Sequence, residues 1–355
     1  MFPEIHPPAL DIPTAVRLVR EIYGLDASAT SLPSERDQNF LLTTTDSDRY
    51  VLKISNVAER RLMLEAQNAA MTHVARRVSF CPRVLPTRAG GLVGRTDEAE
   101  GGQRLAAPRG GVLDDGAHWV RLVTYLPGEP LAKAVTRSSL LLENVGRAVG
   151  QLDRALAGFD HPALCRAFHW NLANAASVIR EYLPLVEPER YRQLIARVSR
   201  VPLRTLEVSD TFRCSAVHHD ANDWNVLVDG DAVTGIIDFG DMVHGWTIAD
   251  PAVAGAYAML GASPPLDAFA DVVRGYHAEH PLRVAEVGAL WDLAILRLCM
   301  SACIAAWQLR QRPDDRYLAI SQEPIRRTLG IVARIPTADA RKTVKAACSE
   351  PSRRA

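Results

Sequence analysis

Asp220 and Asn225 stand five positions apart in the stretch His218-His219-Asp220-Ala221-Asn222-Asp223-Trp224-Asn225, and Asp238 follows in Ile236-Ile237-Asp238-Phe239-Gly240. Between them, Val226-Leu227-Val228 and Val233-Thr234-Gly235-Ile236-Ile237 are β-branched and apolar on either side of Asp229-Gly230-Asp231. The segment therefore predicts loop, strand, tight turn and strand, with an acid at the second strand's end. Three oxygen-bearing side chains converge where that hairpin stops. Phosphoryl transfer from a nucleotide uses such a set: one carboxylate receives the proton of an attacking hydroxyl, while an amide and a second carboxylate hold magnesium against the phosphates. Magnesium takes hard oxygen ligands, so Asn and Asp suit it better than His or Cys. Asp220 is then the group that aims the hydroxyl. With an ordinary carboxyl pKa of about 4 it takes the proton late rather than acting as a strong base. Asn225 and Asp238 are the expected metal ligands.

The elements upstream must present a nucleotide to that set. Residues 12–24 have apolar residues at helical spacing and stop at Gly24. A polar turn at residues 34–39 enters a strand at 40–44, and a second strand at 50–54 carries Lys53. A turn that covers phosphates usually offers glycine backbone; this one has none, so Ser34, Arg36 and Gln38 are the expected donors. A helix at 58–75 follows, and Glu65, placed after Leu62-Met63-Leu64, is favoured over Glu59 as the acid that Lys53 meets while bridging the phosphates. Residues 81–86 and 90–94 read as short strands, and 95–116, rich in glycine and charge, as a mobile loop. Residues 119–126 read as a buried strand ending at Pro127-Gly128. Val123, Thr124, Tyr125 and Leu126 are the expected hinge, with backbone groups for a purine edge.

From Ser138 the pattern turns helical. Helices are expected at 138–157, 171–200, 248–260, 265–279, 284–311 and 322–333, with 336–355 a disordered tail. The aromatic group Phe168-His169-Trp170 reads as a core corner rather than a pocket roof. At 355 residues, with 41 Lys+Arg against 41 Asp+Glu, the chain is long enough for two lobes and carries no net field for nucleic acid or membrane. Apolar stretches are broken by charge or glycine before membrane-spanning length. Six cysteines without a C-x-x-C suit reduced cytoplasmic thiols, and Cys299 and Cys303 read as core rather than a metal pair. The expected domains are 1–127, a nucleotide-binding lobe with an antiparallel sheet, and 128–335, a mainly helical catalytic and substrate lobe.

Ser34 to Phe40, Tyr50 to Asn56, and His219 to Asp223 running on through Ile236 to His244 occur in the order in which the aminoglycoside phosphotransferase and choline kinase group carries them. The chain resembles that group, which is related to the protein kinases, and within it hydroxylysine kinase and its bacterial relatives. The resemblance implies an α+β, bilobal, protein-kinase-like fold. It also implies a magnesium-dependent kinase that moves the γ-phosphate of ATP or GTP to a hydroxyl of a small amine or amino acid such as 5-hydroxylysine. His218 is then a structural residue bonded to backbone near the metal loop, and His219 fills a slot where many small-molecule kinases have Gly. Asn222 fills the slot of the phosphate-contacting Lys of protein kinases, and its neutrality suits a substrate that brings its own cation. Asp250 is expected to cap the following helix and to brace the catalytic loop. Asp223, Asp241 and Asp292 are candidates for the substrate ammonium. A cytoplasmic enzyme without nucleic-acid or membrane partners completes the expectation, with a homodimer one assembly open to it and the oligomeric state not set by the sequence. Aminoglycosides, or amino alcohols of the homoserine, choline or ethanolamine type, are the alternative acceptors, and a nucleotide-binding pseudokinase is the alternative to catalysis. Residues 284–333 carry few acids for a polycation.

Overall fold

A computed structural model describes residues 7–97 and 117–350, so most of the loop expected at 95–116 lies outside the described residues. The chain divides into two compact units, Met1–Arg76 with Cys81–Leu126, and Arg77–Phe80 with Pro127–Ala355.

The first unit opens with α1 (Ile12–Leu18), capped by Asp11, which accepts the Thr14 N–H at 2.9 Å. A wider π-type turn (Val19–Tyr23) continues it to Gly24 at φ +71°. The strands β1 (Ala27–Leu32), β2 (Gln38–Thr44) and β3 (Arg49–Ile54) follow, then helix α2 (Arg61–Val74). The short β4 (Val84–Leu85) and β5 (Gly94–Arg95) and the buried β6 (Trp119–Thr124) complete the unit. All pairings are antiparallel, in the order β1-β2-β3-β6-β4, with β5 also on β6. Alternate residues Phe40 and Leu42, Leu52 and Ile54, and Val120 and Leu122 point to one face, where Ala15, Leu18, Val19 and Ile22 cover them. The sequence did not announce β1: Ala27-Ser28-Ala29-Thr30-Ser31-Leu32 buries little, and its strand geometry comes from pairing with β2 from Asn39 to Thr44.

The second unit contains β7 (Glu129–Pro130), α3 (Ser139–Leu156), α4 (Ala175–Tyr182), α5 (Glu189–Ser199), β8 (Cys214–Val217), β9 (Val226–Asp229), β10 (Ala232–Ile236) and β11 (Val243–Trp246). Then come α6 (Ala249–Ala258), α7 (Pro265–Glu279), α8 (Val284–Gln311), α9 (Arg316–Ala319), α10 (Gln322–Val332) and α11 (Thr337–Ala347). The helix expected over 171–200 is two helices, because Pro184 and Pro188 interrupt the backbone ladder between them. The tail expected to be disordered carries α11, with Ala340, Val344 and Ala347 buried. Residues 77–80 belong to this unit rather than to the first lobe. Arg77 donates to the Ala155 carbonyl at 3.3 Å, and the Phe80 carbonyl accepts the Ile236 N–H at 2.8 Å. Helix α8, against the expectation, is long and apolar enough by composition to cross a membrane, but 89% of that window is buried inside the protein. It is the core helix on which α4, α6, α10 and α11 pack.

Three features of this unit place the catalytic loop. Sheet β10-β9-β7 holds the hairpin, whose turn uses Gly230 at φ +56°. Ser138 caps α3, accepting the Leu141 N–H at 3.0 Å, and its hydroxyl donates to Asp231 in that turn at 2.5 Å. The two-stranded sheet β11-β8 delivers the chain to His218. Behind them α3 and α7 cross at very short range: a Cβ added at Gly275 would lie 1.8 Å from the Glu143 carbonyl oxygen, and one at Gly146 would lie 1.9 Å from that of Val272. Neither carbonyl can yield without moving a helix. Gly275→Ala is therefore expected to cost about 3 kcal/mol, read as a lowered unfolding midpoint in denaturant; an unchanged midpoint would contradict this crossing.

Candidate active site

The loop leaving β8 is held by an acid from another helix. Asp250, fully buried in the first turn of α6, accepts the His218 N–H at 2.8 Å and the His219 N–H at 2.5 Å, one on each carboxylate oxygen. It does not cap its own helix, whose N-cap residue is Ile248 with no side-chain cap. His219 sits at φ +68° and Asp238 at φ +65°. Such left-handed backbone costs a non-glycine residue about 1–3 kcal/mol and persists only where the surroundings impose it. The Asp250 grip supplies that constraint at His219, which is why a Gly would also fit the slot. The His218 ring donates from Nε2 to the Ile237 carbonyl at 3.1 Å and accepts the Asp220 N–H on Nδ1 at 3.2 Å, so both nitrogens serve backbone. His219 accepts the Leu172 N–H at 3.3 Å. Burial lowers both rings' pKa values, that of His219 to about 4, with Arg297 as a second cause there. Neutral rings of this kind are frame, not base.

Asp220 is oriented by three side chains. Asn225 Nδ2 donates to Oδ2 at 2.7 Å and to the Asp220 carbonyl at 3.0 Å. Asn222 Nδ2 donates to Oδ1 at 3.0 Å, and Arg297 Nη2 to the same oxygen at 2.8 Å. Burial, then the charge of Asp241, push the Asp220 carboxyl well above its ordinary range, while Arg297 pulls it down. A carboxylate raised by burial accepts a proton more readily than the free side chain does. Asn225 also ties the two motifs together, since its carbonyl accepts the Ile237 N–H at 2.9 Å, next to Asp238. Asp238 accepts the Gly240 N–H at 3.3 Å, and Arg166 holds the Gly240 and Met242 carbonyls at 2.7 and 3.2 Å.

The donor set fits a hard divalent cation. Both Asn225 Nδ2 hydrogen bonds go to Asp220, so Oδ1 is the atom that could ligate a cation, and Asp238 could add a carboxylate. Among the described residues no group of three or more His, Cys, Asp or Glu side chains could hold a metal. Two protein ligands are enough for magnesium, which keeps waters and takes substrate phosphate oxygens.

Other residues singled out from the sequence do different work. Asn222 is not available to a substrate, because its Oδ1 accepts the Trp224 and Asn225 N–H groups at 2.8 and 3.1 Å while its amide serves Asp220. Asp223 is buried against Arg137 at 3.1 Å, and Asp292 against Thr205 at 2.6 Å and Arg341 of α11. Each acid is thus already compensated by a cation of this chain, Arg137 for Asp223 and Arg341 for Asp292. Of the three acids proposed for that role, Asp241 is the one whose charge ranks, after burial, as a cause of the raised Asp220 carboxyl. In the first unit, Gln38 is engaged by the Leu10 backbone, accepting its N–H at 2.9 Å and donating to its carbonyl at 2.8 Å. Ser34 and Arg36 lie in the β1–β2 loop, and Lys53 lies on β3 opposite Asn39 and Arg121. Glu65 on α2 pairs with Arg61 at 2.8 Å. At the expected hinge, Val123 and Thr124 end β6. The Thr124 and Tyr125 N–H groups bond the Arg83 and Arg49 carbonyls at 2.9 and 3.2 Å. These amides are not open to a purine, and Leu126 is the remaining member of the four.

Arg297 was not foreseen. It is 2% exposed, donates to the Trp170 carbonyl at 3.3 Å and lies with Cζ 4.6 Å from the Trp170 ring centre. Its one signal is a charge inside Leu293-Ala294-Ile295-Leu296-Arg297-Leu298, where a buried cation must find an anion. Phe168 of the same aromatic group packs on Val217 and Val243, so the corner buttresses the site from two sides.

An antiparallel-sheet unit followed by a helical unit, with Asp220, Asn225 and Asp238 gathered at one hairpin, defines a kinase-like phosphotransferase with an alcohol group as acceptor. The chain belongs to the phosphotransferase enzyme family, whose profile matches residues 28–287. It is 31% identical over 318 residues to hydroxylysine kinase of Danio rerio, with 86% of each chain covered. A microcompartment-associated aminopropanol kinase shares the fold at a TM-score of 0.69 and 19% identity, over 93% of this chain and 98% of that one. An amicoumacin kinase solved with AMP-PNP, Ca2+ and Ami does so at 0.64 and 13%, over 92% and 95%.

Removing the guanidinium leaves Asp220 partly buried with a lost partner, a change that costs about 3–5 kcal/mol when it breaks a buried pair. Arg297→Met is expected to lower both the unfolding midpoint and kcat; wild-type values of both would mean that the pair neither stabilises nor orients.

Proposed function

We propose that the protein is a magnesium-dependent kinase that transfers the γ-phosphate of ATP or GTP to the hydroxyl of a small amine-bearing alcohol, with 5-hydroxylysine as the representative substrate. The observation that carries this is the fixing of both Asp220 oxygens by Arg297, Asn222 and Asn225 beside two oxygen ligands for a cation. A carboxylate held this way can accept a hydrogen bond from a substrate hydroxyl in one direction only. Asp220 aims that oxygen at the γ-phosphorus and receives the proton as the new P–O bond forms. Bound to Asn225 and Asp238, magnesium would neutralise charge developing on the phosphates. Lys53, with Ser34 and Arg36, is assigned to the phosphates, and Leu126 to the base.

Asp241 is assigned to the substrate cation. In 5-hydroxylysine the side-chain amine sits on the carbon next to the hydroxyl-bearing one, so an acid beside Asp220 would meet it. The engagement of Asp223 and Asp292 in ion pairs leaves little anionic surface for an aminoglycoside, which favours the small acceptor. The all-thiol cysteines suit the cytoplasm.

Asp220→Ala is expected to abolish transfer while nucleotide still binds, and Asp238→Ala to weaken magnesium-dependent nucleotide binding more than Asn225→Ala does. Near-normal turnover without Asp220, or unchanged magnesium titrations in both metal-ligand variants, would overturn these roles. For the acceptor, a charge contact at a partly screened site is worth about 1.5–3 kcal/mol, roughly ten- to a hundredfold in kcat/KM. That preference is expected for 5-hydroxylysine over an analogue lacking the side-chain amine, with either ATP or GTP, and it should collapse in Asp241→Asn. Equal efficiencies in the wild type would contradict the amine assignment.

A further inference from the structure

Behind the catalytic loop, α3, α6 and α7 enclose a second acid. Asp153 on α3 is 1% exposed, α3 packs on α6, and the buried Asp250 of α6 acts on the Asp153 carboxyl by charge and by side-chain hydrogen bonding. Its position follows from the helix crossing. Gly146, Gly150 and Asp153 share one face of α3 at four- and three-residue spacing. Gly275 lets α7 come against that face, and the next residue, Tyr276, donates its hydroxyl hydrogen to Asp153 Oδ2 at 2.6 Å. Asp153 Oδ1 receives no hydrogen from any described residue. Asp250 uses both of its oxygens to accept from the His218 and His219 amides.

Two carboxylates touching in a dry interior cannot both be ionised. The charged groups around them decide which one is. Arg213 faces the pair from the start of β8, but its guanidinium is engaged by Glu286 at 2.8 and 2.6 Å and by His280 at 3.2 Å. On α3 itself, Arg154 is turned outward to Glu279 at 3.1 Å. Burial disfavours a charge on His218 and His219, and Tyr276 offers one neutral hydroxyl. Two backbone donors favour the charge on Asp250, and nothing comparable favours it on Asp153.

We propose that Asp153 is a positioning residue: it is protonated in the native protein and donates that hydrogen from Oδ1 to Asp250, holding the Asp250 carboxylate against the two amides that fix the loop carrying Asp220. No bond is made or broken during the reaction, and the proton stays on Asp153. Burial and the Asp250 charge push the Asp153 carboxyl well above its ordinary range, which supports the assignment. The influence on turnover rests on Asp220 being the group that aims the hydroxyl; the protonation itself does not.

The sign of the pH dependence follows. The unfolded Asp153 carboxyl loses its proton near pH 4, whereas the folded one keeps it, so its stabilising contribution is complete below about pH 4 and declines as pH rises toward the folded value. Asn has the same shape, donates from its amide and accepts from Tyr276 through its carbonyl, but does not titrate. The test compares wild type, D153N and D153A. D153N should retain kcat, and its melting temperature should gain on the wild type steadily from pH 5 to pH 8. D153A should lose tenfold or more in kcat, on the order expected for a displaced catalytic group, with nucleotide affinity little changed. At pH 7 the wild type should show the infrared carbonyl stretch of a protonated carboxyl that D153N lacks. Absence of that band, or a melting difference that does not vary with pH, overturns the protonation. D153N as impaired as D153A, or D153A with normal kcat, overturns the positioning role. Melting and infrared readouts need no substrate, so they stand even if the proposed acceptor is wrong.

Discussion

A carboxylate removed from water keeps its charge only if the protein supplies the hydrogens that water would have given. That constraint shapes the second unit. Asp220 is given hydrogens by Arg297, Asn222 and Asn225, and each donor is itself fixed. Asn222 is held by the Trp224 and Asn225 amides, Asn225 by Ile237, and Arg297 by the Trp170 carbonyl and ring. Asp250 meets the same demand with backbone N–H groups, and in doing so imposes the left-handed turn at His219. The cost of one strained residue is outweighed by two charge-assisted hydrogen bonds, each worth about 1.5–3 kcal/mol. A loop so constrained presents one direction of approach to a hydroxyl, and aiming a nucleophile is most of what this chemistry asks of a protein.

The hairpin was legible because its cues are local. The β-branched pairs around Asp229-Gly230-Asp231 form β9 and β10, and His218, Asp220, Asn225 and Asp238 are all placed by those few residues. The long helices were equally plain: apolar spacing over 265–279 and 284–311 matches α7 and α8 residue for residue. Where local pattern is weak, pairing decides, as at β1 and at the pair β8 and β11 beside the catalytic loop, four residues each.

What the chain alone could not tell was partnership. Asp223, Asp241 and Asp292 look alike as acids in a sequence, yet Arg137 pairs with the first, Arg341 and Thr205 engage the last, and the charge of Asp241 raises the Asp220 carboxyl. Arg341 lies in a segment whose composition suggested disorder, so the helix it anchors and the acid it neutralises were hidden together. Gln38 and Asn222 show the same limit. Their types suit a ligand, but nearby backbone uses their hydrogen-bonding groups first. Arg297 is the converse case, a charge in an apolar helix whose purpose appears only with its partner.

The central claim is that this arrangement moves a phosphoryl group onto a small alcohol. Phosphorus NMR of the wild-type protein with magnesium, ATP or GTP, and 5-hydroxylysine tests it most directly. The account predicts a new phosphomonoester resonance that grows in step with nucleoside diphosphate and stays low when the amine-free analogue is used. Nucleotide that binds without being consumed, or that is converted only to diphosphate and free phosphate, would contradict it.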